Sequence, residues 1–294
     1  MRRHERAEGT ESSQKKKGAV ISAEGLSFTY EGGERKALDG VTFSIERGQR
    51  IAFIGANGSG KSTLFLCMNG ILRPDEGEIM LSGEPVSYTR KGLKQLRSSV
   101  GIVFQDPDTQ LFLADVREEI SFGILNQEVP EKEAARAVDQ MIERLDIGSF
   151  VSQPTHALSG GQKKLVSIAD ILVMDPELVI LDEPAAALDP LHSRRVREIV
   201  EEMSGRGITV VISTHDMDFA YEWADQVFLM GEGKIRKTGT PQEVFSDRRS
   251  LEQSCLKTPT VLEIYRTLTE KFPALGDAEA PRSLAELEAL IRSL

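Results

Sequence analysis

A glycine-rich segment that ends in a lysine and two hydroxyl residues is the part of this sequence best suited to chemistry. Residues 55–63 read Gly-Ala-Asn-Gly-Ser-Gly-Lys-Ser-Thr and directly follow the largely apolar run 50–54. In the pattern G-x-x-x-x-G-K-[ST], backbone N–H groups surround nucleotide phosphates, and the N-terminus of the next helix adds favourable partial charge. We expect the Lys61 amino group to reach the β- and γ-phosphates and the Ser62 hydroxyl to bind Mg²⁺. The predicted nucleotide-binding residues are Gly55, Ala56, Asn57, Gly58, Ser59, Gly60, Lys61, Ser62 and Thr63.

An acidic pair follows a second apolar run. Residues 178–181 read Leu-Val-Ile-Leu and lead into Asp182 and Glu183. Open α/β sheets bind ligands at the carboxyl ends of their strands. Asp182 therefore suits the carboxylate that orients Mg²⁺, and Glu183 suits the base that activates an attacking water. An ordinary solvated strand end would look the same, so this interpretation depends on the phosphate loop.

A third motif is the turn Leu-Ser-Gly-Gly-Gln at 158–162, which runs into a helical segment. Such a turn offers free N–H groups to an anion at a helix N-terminus. Taken alone, it is more often an ordinary helix start.

The elements around these motifs indicate an α/β fold. Apolar or alternating runs predict strands that begin at Val20 and cover 41–45, 50–54, 78–81, 100–104, 178–181 and 208–212. Helices are predicted after the phosphate loop, at 131–146 and at about 190–204. Strands that alternate with helices predict a mainly parallel sheet covered on both faces.

Composition excludes several classes of protein. The 294 residues are 40% hydrophobic and 28% charged, which suits one large or two modest globular domains. No apolar stretch approaches the roughly 20 residues that span a bilayer, so we expect a cytosolic chain. The net charge of −10 argues against a wholly basic nucleic-acid binder. Cys67 and Cys255 are too few and too far apart for a disulfide framework or a metal site, and Cys67 is expected to be buried.

Taken in order, these motifs resemble the ATP-binding subunits of ABC transporters. Residues 55–63 resemble the Walker A motif, 178–183 the Walker B motif and 158–162 the signature motif. The resemblance covers about residues 19–248 and implies a P-loop NTPase core, an antiparallel β subdomain and an inserted helical subdomain at about 106–165. It also gives roles to four single residues: Tyr30 on adenine, Gln105 in the Q-loop, Asp189 in the D-loop and His215 as the switch histidine.

The resemblance implies a reaction between two subunits that pack head to tail, with ATP and Mg²⁺ as cofactors. Glu183 and His215 are the expected catalytic residues, and Ser62, Gln105 and Asp182 the expected Mg²⁺ ligands. The partner subunit completes the γ-phosphate site with its signature motif, residues Ser159, Gly160, Gly161 and Gln162. The remaining histidines, at positions 4, 156 and 192, are interpreted as ordinary surface or core residues.

Three segments narrow the resemblance to the energy-coupling-factor branch, and within it to the cobalt-type ATPase. They are 69–72, 97–112 and 222–225, with 88–93 in further support. The branch implies import of cobalt or nickel through separate membrane subunits, which bind this subunit at the cytoplasmic face of the membrane. A groove between the helical segment 106–165 and the core is the expected docking site. No nucleic-acid partner is expected.

Alternatives remain open at this stage. An energy-coupling-factor ATPase for a vitamin, and a cassette that binds nucleotide with little turnover, both fit the sequence. A soluble ABC ATPase acting on nucleic acid or ribosomes would normally carry tandem cassettes or a long coiled-coil insertion, and the sequence shows neither. Whether the subunit pairs with itself or with a paralogue is also open.

The ends of the chain and a few departures from the family pattern complete the predictions. Residues 1–18 are predicted to be a disordered leader and 249–294 a C-terminal helical extension, with a capping box at 283–286 ahead of an amphipathic helix that packs on its own core or on a second copy. The departures are Ala185 and Ala187 in place of threonine and glycine, Leu165 in place of arginine and Asp170 in place of a small residue. We expect them to reduce or alter turnover at most.

Overall fold

The computed structural model describes residues 18–273, 275 and 279–292, and its strands form two sheets. The smaller sheet contains β1 (Ala19–Phe28), β2 (Leu38–Glu46), β4 (Glu76–Leu81) and β5 (Glu84–Pro85). The larger sheet contains β3 (Arg50–Ile54), β6 (Val100–Val103), β7 (Leu178–Leu181), β8 (Thr209–Ser213), β9 (Gln226–Gly231) and β10 (Lys234–Gly239). The smaller sheet is antiparallel with order β2-β1-β4-β5. The larger has order β10-β9-β3-β8-β7-β6 and is parallel except for β10, which confirms the predicted fold class.

Helices connect the parallel strands and extend past them. They are α1 (Lys61–Met68), α2 (Arg90–Ser99), α3 (Val116–Leu125), α4 (Glu131–Arg144), α5 (Gly160–Leu172), α6 (Pro190–Gly205), α7 (Met217–Trp223), α8 (Pro241–Ser246), α9 (Arg248–Gln253), α10 (Thr260–Lys271) and α11 (Leu284–Arg292). Helix α4 ends two residues before the predicted boundary, since Asp146 takes a left-handed φ of 56° that a helix cannot continue through. None of these helices has the length and apolar character needed to cross a bilayer.

Successive side chains of the parallel strands point to opposite faces of the sheet, and this divides the interior into two cores. In β3, Ile51 and Phe53 face the antiparallel sheet, whereas Ala52 and Ile54 face the helices on the other side. Strand side chains point to opposite faces in turn, so a strand buried on both faces is apolar throughout. In the core that faces the antiparallel sheet, the rings of Phe53 and Phe228 stack with their centroids 4.7 Å apart. This packing fixes the carboxyl end of β3, from which the phosphate loop leaves.

The C-terminal extension is attached to α7. The Arg282 guanidinium donates to the carbonyl oxygens of Tyr221 (2.9 Å), Glu222 (3.0 Å) and Ala224, and so caps the end of that helix. At the other end, the Thr260 hydroxyl donates to Asp218 at 3.0 Å. The extension is therefore held at both ends of α7, the helix that follows His215.

The last helix departs in part from its prediction. The Ser283 hydroxyl accepts the N–H of Glu286 (3.2 Å), but the Glu286 carboxylate accepts the N–H of Arg282 (2.7 Å) rather than that of Ser283. The predicted capping box is thus half formed. Leu287 is buried in the helix-covered core, so α11 packs on its own chain. The leader, apart from Gly18, and the Leu294 end of the predicted stripe lie outside the described residues.

Candidate nucleotide site

The phosphate loop connects the end of β3 to the start of α1. Gly55, Gly58 and Gly60 have φ values of 153°, 77° and 106°. A Cβ would lie 2.4 Å from the Met230 carbonyl oxygen if built on Gly55, and 2.7 Å from that of Ala37 if built on Gly60. Glycine is therefore required at both positions for conformation and for space.

Lys61 is folded over this loop. Its amino group donates to the carbonyl oxygens of Gly55 at 2.7 Å and Ala56 at 3.2 Å, and the side chain is buried. Burial lowers its pKa, while the negative charges of Glu183 and Asp182 act in the opposite direction. The ammonium is thus held against the backbone of the loop, where the negative charge of phosphate oxygens would be a favourable partner for it.

The acidic pair at the end of β7 is organised by a serine that the sequence analysis did not single out. The Ser213 hydroxyl donates to Asp182 Oδ1 at 2.5 Å and accepts the N–H of Glu183 at 2.8 Å. Ser213 is fully buried at the end of the neighbouring strand β8. Glu183 takes a left-handed φ of 45°, which only a well-fixed residue maintains. The serine therefore holds the Asp182 carboxylate and the Glu183 backbone in place.

Glu183 and His215 meet across the site. The Nε2 atom of His215 lies 3.2 Å from Glu183 Oε1 and 2.9 Å from Asn57 Oδ1. Burial raises the pKa of Glu183, and the charges of His215 and Lys61 partly offset this. A glutamate with a raised pKa is suited to accept a proton near neutral pH.

A cavity of about 140 Å³ brings most of the predicted residues together. Its lining consists of residues 57–63, Gln105, Asp182, Glu183 and His215. A hydroxyl, an amide and a carboxylate, from Ser62, Gln105 and Asp182, are oxygen donors of the kind that suits Mg²⁺ beside phosphates. The predicted adenine residue, Tyr30, lies outside this lining, half exposed, with its hydroxyl 3.1 Å from that of Thr63.

The signature turn and Asp189 also lie outside this cavity. Ser159 is the N-cap of α5 in a capping box, because its hydroxyl accepts the Gln162 N–H (3.3 Å) and Gln162 Oε1 accepts the Ser159 N–H (2.9 Å). The box does not use the N–H groups of Gly160 and Gly161, which point from the helix N-terminus. Asp189 is the N-cap of α6. A single subunit therefore does not bring these residues to its own phosphate loop.

A buried lysine joins the signature helix to the Q-loop. Lys164 on α5 is 1% exposed, and its Nζ donates to the carbonyl oxygens of Phe104 (2.7 Å) and Gln105 (2.8 Å). Burial lowers its pKa to about 8. Sequence patterns missed this residue, since it is the second of two adjacent lysines at the start of a helix.

Gln110 makes a second connection in the same place. Its Oε1 accepts the N–H of Phe104 (3.3 Å), and its Nε2 donates to the Ser167 carbonyl (2.9 Å) and to Asp170 Oδ2 (3.2 Å). Burial raises the pKa of Asp170 to about 7. One of the departures from the family pattern is therefore a hydrogen-bond partner for the segment that follows the Q-loop.

The fold and the cavity define a P-loop nucleotide-binding protein of the α/β class. Comparison with known proteins is more specific, because residues 38–186 match the family described as ABC transporter. The chain belongs to this family of ATPases.

Individual relatives resemble most of the chain. The energy-coupling factor transporter ATP-binding protein EcfA of Methanocaldococcus jannaschii is 42% identical over 252 residues, which are 86% of this chain and 90% of that protein. EcfA2 of Clostridium perfringens is 44% identical over 253 residues, with coverage of 86% and 88%. The solved structure of cbiO1 from Clostridium perfringens, described as part of the ABC transporter complex cbiONQ, has a TM-score of 0.71 at 42% identity and covers 88% of this chain and 98% of its own.

Proposed function

We propose that this chain is the ATP-hydrolysing subunit of an energy-coupling-factor importer and powers uptake of cobalt, or the related nickel ion, through separate membrane subunits. The observation that carries the ATPase role is the meeting of Lys61, Glu183 and His215 at one cavity beneath the phosphate loop. The names of the relatives EcfA and EcfA2 support the branch, and the cbiO1 likeness supports the cobalt-type complex. An importer of a vitamin remains the alternative within the same branch.

The site residues divide the work of phosphoryl transfer. Glu183 accepts a proton from water as the water oxygen bonds to the γ-phosphorus of ATP, and the bond to the β-phosphate oxygen breaks to release ADP. Lys61 stabilises charge on the transferring phosphoryl group. Ser62, Gln105 and Asp182 would hold Mg²⁺, which neutralises phosphate charge when bound. His215 lies between Glu183 and Asn57 and is placed to contact the γ-phosphate.

A second subunit completes the site. The signature turn and Asp189 lie outside the cavity of their own chain, so in this proposal they act on the nucleotide of a partner that packs head to tail. ATP closes this dimer and hydrolysis opens it, a switch driven by the γ-phosphate. The partner is a second copy or a paralogue.

An aromatic surface beside the Q-loop is the proposed contact with the membrane subunits. The rings of Phe112 (65% exposed) and Phe122 (44% exposed) meet edge to face at 5.1 Å, with Leu125 also exposed. The buried carboxylate of Glu119 accepts the N–H groups of Phe112 (3.0 Å) and Leu113 (2.7 Å), which fixes the surface from beneath. Exposed apolar patches mark interaction sites, and this one would attach the subunit to the cytoplasmic face of the membrane.

Hydrolysis tests the ATPase role directly. We expect Mg²⁺-dependent phosphate release by the purified chain, and a loss of about 10²-fold or more in Glu183→Gln, because general-base catalysis contributes that much. In size-exclusion chromatography with ATP, the variant should remain a dimer. A chain that binds ATP without either turnover or an ATP-dependent dimer would instead support the nucleotide-binding alternative.

The transported solute requires a separate test. The chain would be co-expressed with candidate membrane subunits, and uptake of radioactive cobalt, nickel and a vitamin would be measured in cells with the wild-type chain and with Glu183→Gln. Uptake of cobalt or nickel that is lost in Glu183→Gln would support the proposal. If only the uptake of the vitamin is lost in Glu183→Gln, the result would contradict the ion assignment and leave the ATPase role intact.

A further inference from the structure

The imidazole of His192 connects Asp189 with the signature turn, neither of which lines the cavity of its own chain. His192 lies in the first turn of α6, and its Nδ1 is 2.6 Å from Oδ2 of Asp189. The other carboxylate oxygen, Oδ1, accepts the backbone N–H groups of Leu191 (2.9 Å) and His192 (3.0 Å). Asp189 therefore caps α6 and holds the imidazole at the same time.

The ring also fills the space beside the signature turn. A Cβ built on Gly161 would lie 2.2 Å from Cδ2 and 2.3 Å from Cγ of His192, which is far closer than van der Waals contact allows. The Gly161 backbone therefore packs directly on the imidazole. The ring lies between the start of α5 and the start of α6, with 28% of the side chain exposed.

The hydrogen bond between the two residues has a charged acceptor. The backbone N–H and the imidazole of His192 lower the pKa of Asp189, so this carboxyl is ionised at neutral pH. Hydrogen bonds to a charged group are shorter and stronger than neutral ones. The Asp189 loop is thus tied to His192, and His192 is packed on the signature turn.

We propose that His192 is a positioning residue that holds Asp189 and the signature turn of one subunit as a single rigid unit, which then docks on the nucleotide bound to a second subunit. This inference rests on the head-to-tail dimer of the proposed function. Two elements that are already fixed relative to each other lose less conformational freedom on docking than two independent ones. His192 thereby favours ATP-dependent dimerisation without contacting the nucleotide of its own chain.

Three substitutions separate the two contacts. His192→Phe keeps a ring on Gly161 but loses the hydrogen bond to Asp189, His192→Asn keeps a donor near Asp189 but loses the ring, and His192→Ala loses both. His156→Ala is the matched control, because this exposed histidine lies just before the signature turn and its side chain makes no hydrogen bond or ion pair with either motif among the described residues. Each variant would be made in the full chain with Glu183→Gln, so that ATP persists.

Dimer formation would be measured by light scattering over a titration with ATP, and binding of a fluorescent ATP analogue to the monomer would be measured in parallel. We expect the ATP concentration at half-maximal dimer to rise about threefold for Asn, which keeps a donor, and about tenfold or more for Phe and Ala, which both lose the charge-assisted hydrogen bond. Analogue binding to the monomer and the His156→Ala control should stay at the parent values.

If all three His192 variants form dimers at the same ATP concentration as the parent, this inference is overturned and the proposed function is unaffected. A matching loss of analogue binding by the monomer would also overturn it, since the residue would then act on its own phosphate loop. If the Glu183→Gln parent forms no ATP-dependent dimer, the proposed function fails, and this inference fails with it.

Discussion

The Nε2 atom of His215 lies 3.2 Å from Oε1 of Glu183, and the backbone N–H of His215 donates to Oε2 of the same carboxylate at 3.3 Å. Glu183, the proposed base, and His215 therefore form one unit within a single chain. Because the charge of His215 lowers the pKa of Glu183, the histidine influences the pH at which the glutamate can accept a proton.

His215→Ala should shift the acid limb of the pH–rate profile. Burial raises the pKa of Glu183 and the charge on His215 lowers it, so removing the imidazole leaves burial less opposed and the pKa rises further. The base works only when ionised, so turnover should fall at a higher pH than in the wild type, besides being slower throughout. The measurement is kcat for ATP as a function of pH along the acid side of the profile.

The backbone N–H of residue 215 remains in that variant, so the comparison isolates the imidazole. His156→Ala should leave the profile unchanged. An acid limb at the wild-type pH in His215→Ala would contradict an influence of the imidazole on Glu183.

Ser213→Ala should disturb the Asp182 carboxylate and the Glu183 backbone at once. The hydroxyl links Asp182 Oδ1 to the N–H of Glu183, and its loss leaves a buried donor unpaired, which costs about 1–3 kcal/mol of unfolding free energy. Because the Asp182 carboxylate and the Glu183 backbone both lose a partner that fixes their position, kcat should fall about tenfold or more. Denaturant unfolding and steady-state ATPase assays measure the two effects.

Ser98→Ala is the control for Ser213, since the Ser98 hydroxyl makes an exposed bond to the Gln95 carbonyl in α2. It should change stability by no more than about 0.5 kcal/mol. A Ser213→Ala protein with wild-type stability and turnover would show that the two acids are held by the strand ends alone.

The sequence predicts features that are local and misses contacts that depend on packing. Glycine spacing and apolar strands are local, so the phosphate loop and the acidic strand end follow from a few consecutive residues. Lys163 and Lys164 are adjacent lysines that the sequence does not distinguish. In the structure, Lys163 pairs with Asp108 at 2.5 Å, whereas Lys164 is buried beneath the Q-loop. Which of two neighbouring lysines enters the interior is decided by the packing of α5, a long-range property. Ser213 follows the same rule, because its two partners come directly after a different strand, β7.

Lys164→Met should change how stability depends on pH. The pKa of Lys164 is lowered to about 8 in the folded chain, against about 10.4 when unfolded. Below pH 8 both states hold the proton. Between about pH 8 and 10.4 the unfolded chain binds more protons, so the wild type gains stability as pH rises, at about 1.4 kcal/mol per unit.

The variant lacks this group, so the difference in unfolding free energy, wild type minus Lys164→Met, should increase over that interval by up to about 3 kcal/mol. Urea unfolding at several pH values measures it. Lys163→Met, which removes the neighbouring lysine and its ion pair with Asp108, provides the control. A difference for Lys164→Met that stays constant with pH would contradict a buried ammonium at this position.

Asp170→Asn should stabilise the protein, and more strongly as pH rises. Burial raises the pKa of Asp170 to about 7, whereas an unfolded aspartate titrates near 3.9. Between about pH 4 and 7 the folded chain binds more protons than the unfolded chain, so this carboxyl makes stability fall as pH rises, and above pH 7 its full cost of up to about 4 kcal/mol is present. An asparagine keeps an oxygen to accept from Gln110 Nε2 and carries no charge.

The gain in unfolding free energy of Asp170→Asn over the wild type should therefore grow from pH 4 to pH 7 and then level off. Asp139→Asn, which breaks an exposed pair with Arg117, should change stability by less than about 1 kcal/mol at every pH. A gain in Asp170→Asn that is the same at pH 4 and pH 8 would mean that the carboxyl is solvated and ionises normally.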